Sequence, residues 1–207
     1  MNSKIDHVVG KAFYLPGNNM DTDRIIPARF LKCVTFQGLG ANVFRGDRDK
    51  LEGKHPFDLP ENQNRSILVV DENFGSGSSR EHAVPALMQY GIKAIIGLSF
   101  AAIFRGNAVG NGLMCVEIDV YEHQWLIGCL SGQSRELLID LNDMLIEEIG
   151  QVPLPQELLE AIPCTMPDSH RKMLITGEWD SLTTALEAGP LIEETATRLS
   201  YMAAVAS

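Results

Sequence analysis

No Cys-x-x-C pair occurs in this chain, and its four cysteines, Cys33, Cys115, Cys129 and Cys164, stand far apart. That spacing excludes the usual zinc and iron–sulfur ligand patterns. Isolated thiols of this kind fit a reducing compartment. The five histidines, His7, His55, His82, His123 and His170, show no ligand spacing either, so no metal is expected on this chain. Positive charge is scarce: 17 Lys and Arg against 27 Asp and Glu give a formal net charge of −10. A nucleic-acid-binding surface needs a basic stripe, so the charge argues against that class; it does not exclude a local basic pocket for an acidic ligand. No apolar run approaches the roughly 20 residues of a membrane-spanning helix. Residues Met1 to Asp6 lack the apolar core of a signal peptide. A cytoplasmic protein, off the membrane, is expected. No internal repeat and no low-complexity linker interrupts it.

What is present is ordinary in bulk and distinctive in detail. With 207 residues, 45% hydrophobic and 21% charged, the chain has enough apolar material for a core of normal size. One domain spanning 1–207, with a C-terminal helical extension over roughly 150–207, is expected. The most informative stretch is Gly75-Ser-Gly-Ser-Ser-Arg-Glu-His82. Before it runs Ser66-Ile-Leu-Val-Val-Asp71, short and β-branched as a buried strand should be. After it come a helical segment from Ala83 to Tyr90, closed by Gly91, and a second apolar run at Ala94–Leu98. Strand, glycine-rich turn, helix, strand is the resulting order. A turn so placed would offer hydroxyls, Arg80 and backbone N–H groups at a helix N-terminus, a setting suited to a carboxylate or phosphate.

Two common glycine-rich motifs do not fit. A P-loop requires a lysine that this loop lacks. The dinucleotide pattern begins correctly at Gly75 and Gly77 but meets Arg80 where its third glycine belongs. A purely structural alternative stands beside the binding role: Ser78-x-x-Glu81 has the form of a capping box. Pro85 sits too deep for a helix starting there, which moves the expected start toward Val84.

Elsewhere the pattern predicts a strand from Val8 to Leu15, a polar turn at Asp21–Pro27 and a short helix within Ala28–Phe44. A surface loop is expected over Asp47–Asn64, which is charged and contains Pro56 and Pro60. Gly106, Gly110 and Gly112 suggest a loop before a strand at Leu113–Ile118. Arg135–Leu141 and Asp143–Ile149 read as two strands about an Asn142-Asp143 turn. Short helices are expected at Leu154–Ile162, from Asp180 or Ser181 through Glu187, and from Leu191 into the tail. The whole is an α/β pattern with some antiparallel strands in its second half.

Three blocks carry a family resemblance: Asn19-Met-Asp-Thr-Asp-Arg-Ile-Ile-Pro-Ala28, the glycine-rich loop, and Ser99-Phe-Ala-Ala-Ile-Phe-Arg-Gly-Asn107 followed by Asn111-Gly-Leu-Met-Cys115. Together, in this order and spacing, they resemble the small subunits of 3-isopropylmalate dehydratase (isopropylmalate isomerase), the separate-chain equivalents of the swivelling domain of aconitase. The resemblance runs from about Lys11 to Val120. It implies a three-layer swivelling β/β/α domain, as in the aconitase C-terminal domain. It implies a hydro-lyase that interconverts 2- and 3-isopropylmalate through an unsaturated intermediate, in leucine biosynthesis. The partner it implies is a large subunit bearing a [4Fe–4S] cluster, whose open iron acts as Lewis acid on the departing hydroxyl; this chain would bind no cofactor itself. The substrate is then a small dicarboxylate, with no nucleic acid and no membrane involved.

The same resemblance assigns roles. Ser78 matches the catalytic serine, acting as base in its alkoxide form, which nearby amides and Arg80 must support. Ser79 and Arg80 match binders of the substrate carboxylate, a role that suits the bidentate fork of arginine. Asp23 matches an aspartate at the cluster end of the site, whereas Asp21 and Thr22 fit an Asx-type turn equally well. A further substrate arginine of aconitase has no clear counterpart here: counting forward reaches Thr35, and Arg24, Arg29 and Lys32 are the nearby cations. An isopropyl arm calls for an apolar wall, for which Ile25, Ile26, Phe30 and Leu31 are candidates, although such residues are more often plain core. A sister hydro-lyase of the homoaconitate, methylmalate or citraconate type, and an inactive binding module of the same fold, are the alternatives.

Overall fold

The computed structural model describes residues 3–30, 38–77, 80–131, 135–149 and 161–181. Strand β1 (His7–Leu15) alternates exposed and buried positions over most of its length, as its sequence does. It begins a parallel set that continues through β2 (Ile67–Val70), β3 (Ala94–Gly97) and β4 (Met114–Glu117), with Ala12 opposite Ile67, Ile67 opposite Ala94 and Ala94 opposite Met114. β2 and β3 are buried at every position, which is why they read as continuous apolar runs rather than alternating ones. Helix α1 (Thr22–Ile25) and helix α2 (Arg45–Leu51) lie on the connection from β1 to β2. Helix α3 (Ala83–Tyr90) crosses from β2 to β3, and helix α4 (Ala102–Gly110) from β3 to β4.

The second half reverses direction. After helix α5 (Val120–Leu130), β5 (Glu136–Asp140) pairs antiparallel with β1, β6 (Leu145–Glu148) with β5, and β7 (Ile162–Pro163) with β6. The order across the sheet is β4-β3-β2-β1-β5-β6-β7. Just past β7, Thr165 and Glu117 exchange backbone hydrogen bonds of 2.8 Å in both directions. Glu117 ends β4, so the two outermost strands meet and the sheet curls round on itself. Helix α6 (Asp168–Thr176) follows.

The curl creates two cores and three layers. Phe13, Leu68, Val70 and Ile95 face a core closed by Val84 and Leu87 of α3 and Phe104 and Ala108 of α4. Ile67, Val69, Ile96 and Val116 face the other, closed by Leu137, Ile139 and Ile146 of the antiparallel strands and by Leu126 and Leu130 of α5. This is the β/β/α layering that the resemblance implied.

Three local expectations are corrected. The stretch from Asp47 to Asn64 is not a simple surface loop. It begins within α2 and turns again at Pro60–Asn62. It is held down by His55 and Phe57, which pack on Phe44 with ring centroids 5.4 and 4.9 Å away. Gly106 and Gly110 lie inside α4 rather than in a loop, because Phe104, Ala108 and Val109 anchor that helix in the cores; packing overrides glycine's poor propensity, worth about 1 kcal/mol per residue. Ile162 is in β7, not at a helix end. Helices α5 and α6 were not expected at all. The helix expected at Leu154–Ile162 otherwise falls on residues outside the described ones, as do those through Glu187 and beyond Leu191.

Candidate active site

The site grows from the C-terminal ends of β1, β2 and β3. The chain leaving β1 and the chain leaving β2 are zipped together. Gly17 donates its amide to Asp71 (2.6 Å), Glu72 donates to the Asn18 side chain (3.1 Å), and Asn19 donates to the Glu72 carbonyl (2.8 Å). The amides of Gly75 and Ser76 both donate to the Met20 carbonyl, at 2.8 and 3.2 Å, and Thr22 donates to Ser76 at 2.9 Å. The chain leaving β3 joins the same assembly: Phe74 donates to Ser99 (3.1 Å) and Ala101 donates to Phe74 (2.9 Å). Three connections, each carrying one of the sequence blocks, thus form one ledge.

Glycine is required at Gly75. Its φ is +77°, and a Cβ there would lie 2.2 Å from Cγ of Phe104. The amides of Gly75 and Ser76 are committed to Met20, so the expected display of free loop amides does not extend to them. Nor does the loop run straight into a helix. The cap position of α3 is His82, and Ala83, Val84 and Pro85 form its first turn. Pro85 therefore falls where its missing N–H is not needed, and the Ser78–Glu81 capping box does not start this helix.

On this ledge Arg80 and Asp23 form an ion pair. The Arg80 side chain is 19% exposed and that of Asp23 57% exposed. Nε of Arg80 is buried with no hydrogen-bond partner. Arg80 borders a cavity of about 230 Å³ whose other walls include Thr22, Gly75, Gly77, Ile103 and Phe104. The arrangement sets one cation, already engaged by a carboxylate, beside a mainly apolar hollow. That geometry suits a ligand carrying both a carboxylate and a hydrocarbon arm.

The remaining candidates fall in different places. Arg24 pairs with Asp47 at 2.8 Å, and Arg29 pairs with Asp49 at 3.4 Å while lying over the Phe30 ring; neither borders the cavity. Asp21 accepts the Arg24 amide at 2.7 Å and caps α1, the local turn role foreseen as its alternative. Ile25 and Ile26 are fully buried in the core and offer a ligand no surface, so as pocket walls they are corrected to core residues. Phe30 packs against that core from its edge. Ser78, Ser79, Leu31, Lys32 and Thr35 lie outside the described residues. The sequence reading missed Ile103 and Phe104 as cavity walls, and missed the Tyr14, Asp71 and His123 group beneath the ledge. Ile103 and Phe104 were signalled only by lying in the third sequence block, and Tyr14 and Asp71 only by their places at the ends of β1 and β2, while His123, within α5, carried no local signal.

Among the described residues no His, Cys, Asp or Glu side chains gather in a group able to hold a metal ion. Cys115 and Cys164 are buried, and desolvation pushes both thiols up, the wrong direction for thiolate ligands. These residues do not fit an iron–sulfur cluster. Nor is any helix among the described residues long and apolar enough to cross a membrane.

Comparison with known proteins gives the family. The family model described as Aconitase C-terminal domain matches residues 2–120. The 3-isopropylmalate dehydratase small subunit of Synechocystis sp. is 42% identical over 200 residues, covering 97% of this chain and 96% of that one. A protein of the same name from Thermus thermophilus is 38% identical over 204 residues, covering 97% and 98%. A crystal structure of 3-isopropylmalate dehydratase from Methanocaldococcus jannaschii superposes with a TM-score of 0.63 at 27% identity, over 88% of this chain and 98% of that one. The chain belongs to the aconitase C-terminal domain family and, within it, to the small subunits of 3-isopropylmalate dehydratase.

Proposed function

We infer that this chain is the small subunit of a hydro-lyase that interconverts 2- and 3-isopropylmalate in leucine biosynthesis. The observation that carries this is 42% and 38% identity, over nearly the full length, with small subunits of that name, joined to an Arg80–Asp23 pair beside an apolar cavity. A heterodimer with the large subunit, in the cytoplasm, is the working assembly. A [4Fe–4S] cluster, for which the described residues offer no ligand group, belongs on the large subunit.

Arg80 receives a substrate carboxylate, exchanging one anionic partner, Asp23, for another. Removing a proton beside a carboxylate piles charge onto a group already negative, so a cation held in place matters most in the transition state. Ser78, two residues before Arg80 on the same loop, is the base, and Ser79 assists in holding the carboxylate. Asp23, displaced from Arg80, is left to relay a proton or orient a partner. Arg24 and Arg29 are substrate-binding candidates only if they leave their pairs with Asp47 and Asp49. The apolar arm is received by the exposed Ile103 at the cavity that Phe104 backs, since Ile25 and Ile26 do not border it.

The test is turnover by the purified chain assembled with a cluster-loaded large subunit. Conversion of 2-isopropylmalate is expected. Preference for homoaconitate or methylmalate would reassign the substrate, and no turnover of any of the three by a correctly assembled complex would leave a binding module.

A further inference from the structure

Beneath the ledge lies a polar group that the chemistry above does not use. Asp71 is the first residue beyond β2, and its side chain is only 16% exposed. Tyr14, near the end of β1, donates its hydroxyl to both Asp71 oxygens, at 2.8 and 2.9 Å. Gly17 donates its amide at 2.6 Å. His123 of α5, 3% exposed, places Nε2 2.7 Å from the Val70 carbonyl and 3.6 Å from Asp71. A carbonyl only accepts, so Nε2 must carry the proton in that contact. Burial and the Asp71 carboxylate together push the Tyr14 phenol up, which keeps it a donor. The carboxylate thus ties the end of β1 to the end of β2 at the root of the loop that reaches Arg80, and His123 anchors α5 beside it through the Val70 carbonyl.

The outer ties of the same zip are weaker. The Asn18–Glu72 and Asn19–Asn73 contacts are exposed, where water competes for every donor. Asp71 makes the inner, charge-assisted tie, which is shorter and stronger in kind. A half-buried carboxylate is a costly way to fill space, but its directional bonds fix where the chain goes next. We propose that Asp71, held by Tyr14 and Gly17 and backed by His123, is a positioning residue that sets the loop bearing Arg80 in register with the loop bearing Asp23. Its consequence for turnover rests on the function inferred above; its consequence for the loops does not.

The experiment therefore has two arms, on Asp71→Ala, Asp71→Asn and Tyr14→Phe. In the full chain alone, amide hydrogen exchange is followed at Gly75 and Ser76, whose amides report the zip, and at Val69 and Ile95 in the sheet. Asp71→Ala is expected to speed exchange at the first pair by roughly tenfold or more while the sheet amides stay protected. Asp71→Asn, which keeps one acceptor, should fall between it and wild type. In the complex with the large subunit, kcat should drop by roughly tenfold or more with KM changed far less, because misalignment acts on the transition state. If Asp71→Ala unfolds the sheet as well, the milder Tyr14→Phe decides on the same amides. Wild-type exchange at Gly75 and Ser76 in a folded variant overturns the proposal, as does wild-type kcat in an assembled one. A wild-type complex that turns over no isopropylmalate, with exchange altered as expected, would instead count against the function and leave the positioning role standing.

Discussion

Arg80 and Asp23 are bound to each other across two loops, with Arg80 largely covered and Asp23 facing outward. On the function inferred above, a dicarboxylate entering the cavity takes the place of Asp23 on the guanidinium. Arg80→Lys keeps the charge but loses the planar pair of donors. The expected outcome is a fall in kcat/KM of about 2–5 kcal/mol in the assembled enzyme, measured by steady-state kinetics with size-exclusion and circular dichroism controls. Wild-type kinetics in that complex would remove Arg80 from the carboxylate clamp.

Asp23→Asn separates competition from catalysis. Weakening the resting pair should leave KM unchanged or lower it, while kcat falls if Asp23 takes part in the chemistry. A raised KM with unchanged kcat would make Asp23 a substrate binder instead.

Ser78→Ala should abolish turnover with little effect on folding, since the cap position of α3 is His82. A role in capping would instead cost about 0.5–2 kcal/mol of stability with kcat preserved. Denaturant titration and kinetics on the same preparation tell the two apart.

Gly75→Ala should destabilise the chain by more than about 1 kcal/mol. The left-handed backbone and the Phe104 ring, 2.2 Å from the new methyl, both oppose it. Thermal unfolding of the purified variant reads the loss.

Mild acid should weaken the fold. Burial pushes the His55 imidazole below its ordinary value, and burial together with Arg105 does the same to His170. As pH falls through about 6.5, the unfolded chain takes up protons that the folded chain refuses, so stability declines. Above about pH 7 these rings contribute no slope. Calorimetry from pH 7.5 to 5.5 should show a falling Tm, and His55→Phe should flatten that slope even where it lowers the Tm itself.

The sequence disclosed most where one element carried one pattern. The uniformly apolar β2 and β3, the alternating β1 and the Asn142-Asp143 turn were legible because burial on one or both faces imprints directly on residue order. Helices α5 and α6 were not. Trp125, Ile127 and Cys129 blur the polar face of α5, and α6 buries only Leu174. Asp23 and Arg80 were picked out as candidates through blocks of sequence, and their pairing needed the fold. Ile25 and Ile26 looked like pocket lining because apolarity alone does not say which side of a loop is dry. The Asp71 group escaped for a different reason: Tyr14, Asp71 and His123 are separated by 57 and 52 positions, and no local pattern joins them.

The exchange of hydrogen bonds between Glu117 and Thr165 has a consequence for how this chain meets other chains. An open sheet ends in unpaired strand edges, which invite a foreign strand to add on. Here β4 is four residues long, β7 is two, and the chain just past β7 is tied back to the end of β4. Little continuous edge is left for β-addition among the described residues. The strand margins among the described residues are thereby poor seats for a foreign strand, and the purified chain should resist edge-to-edge aggregation.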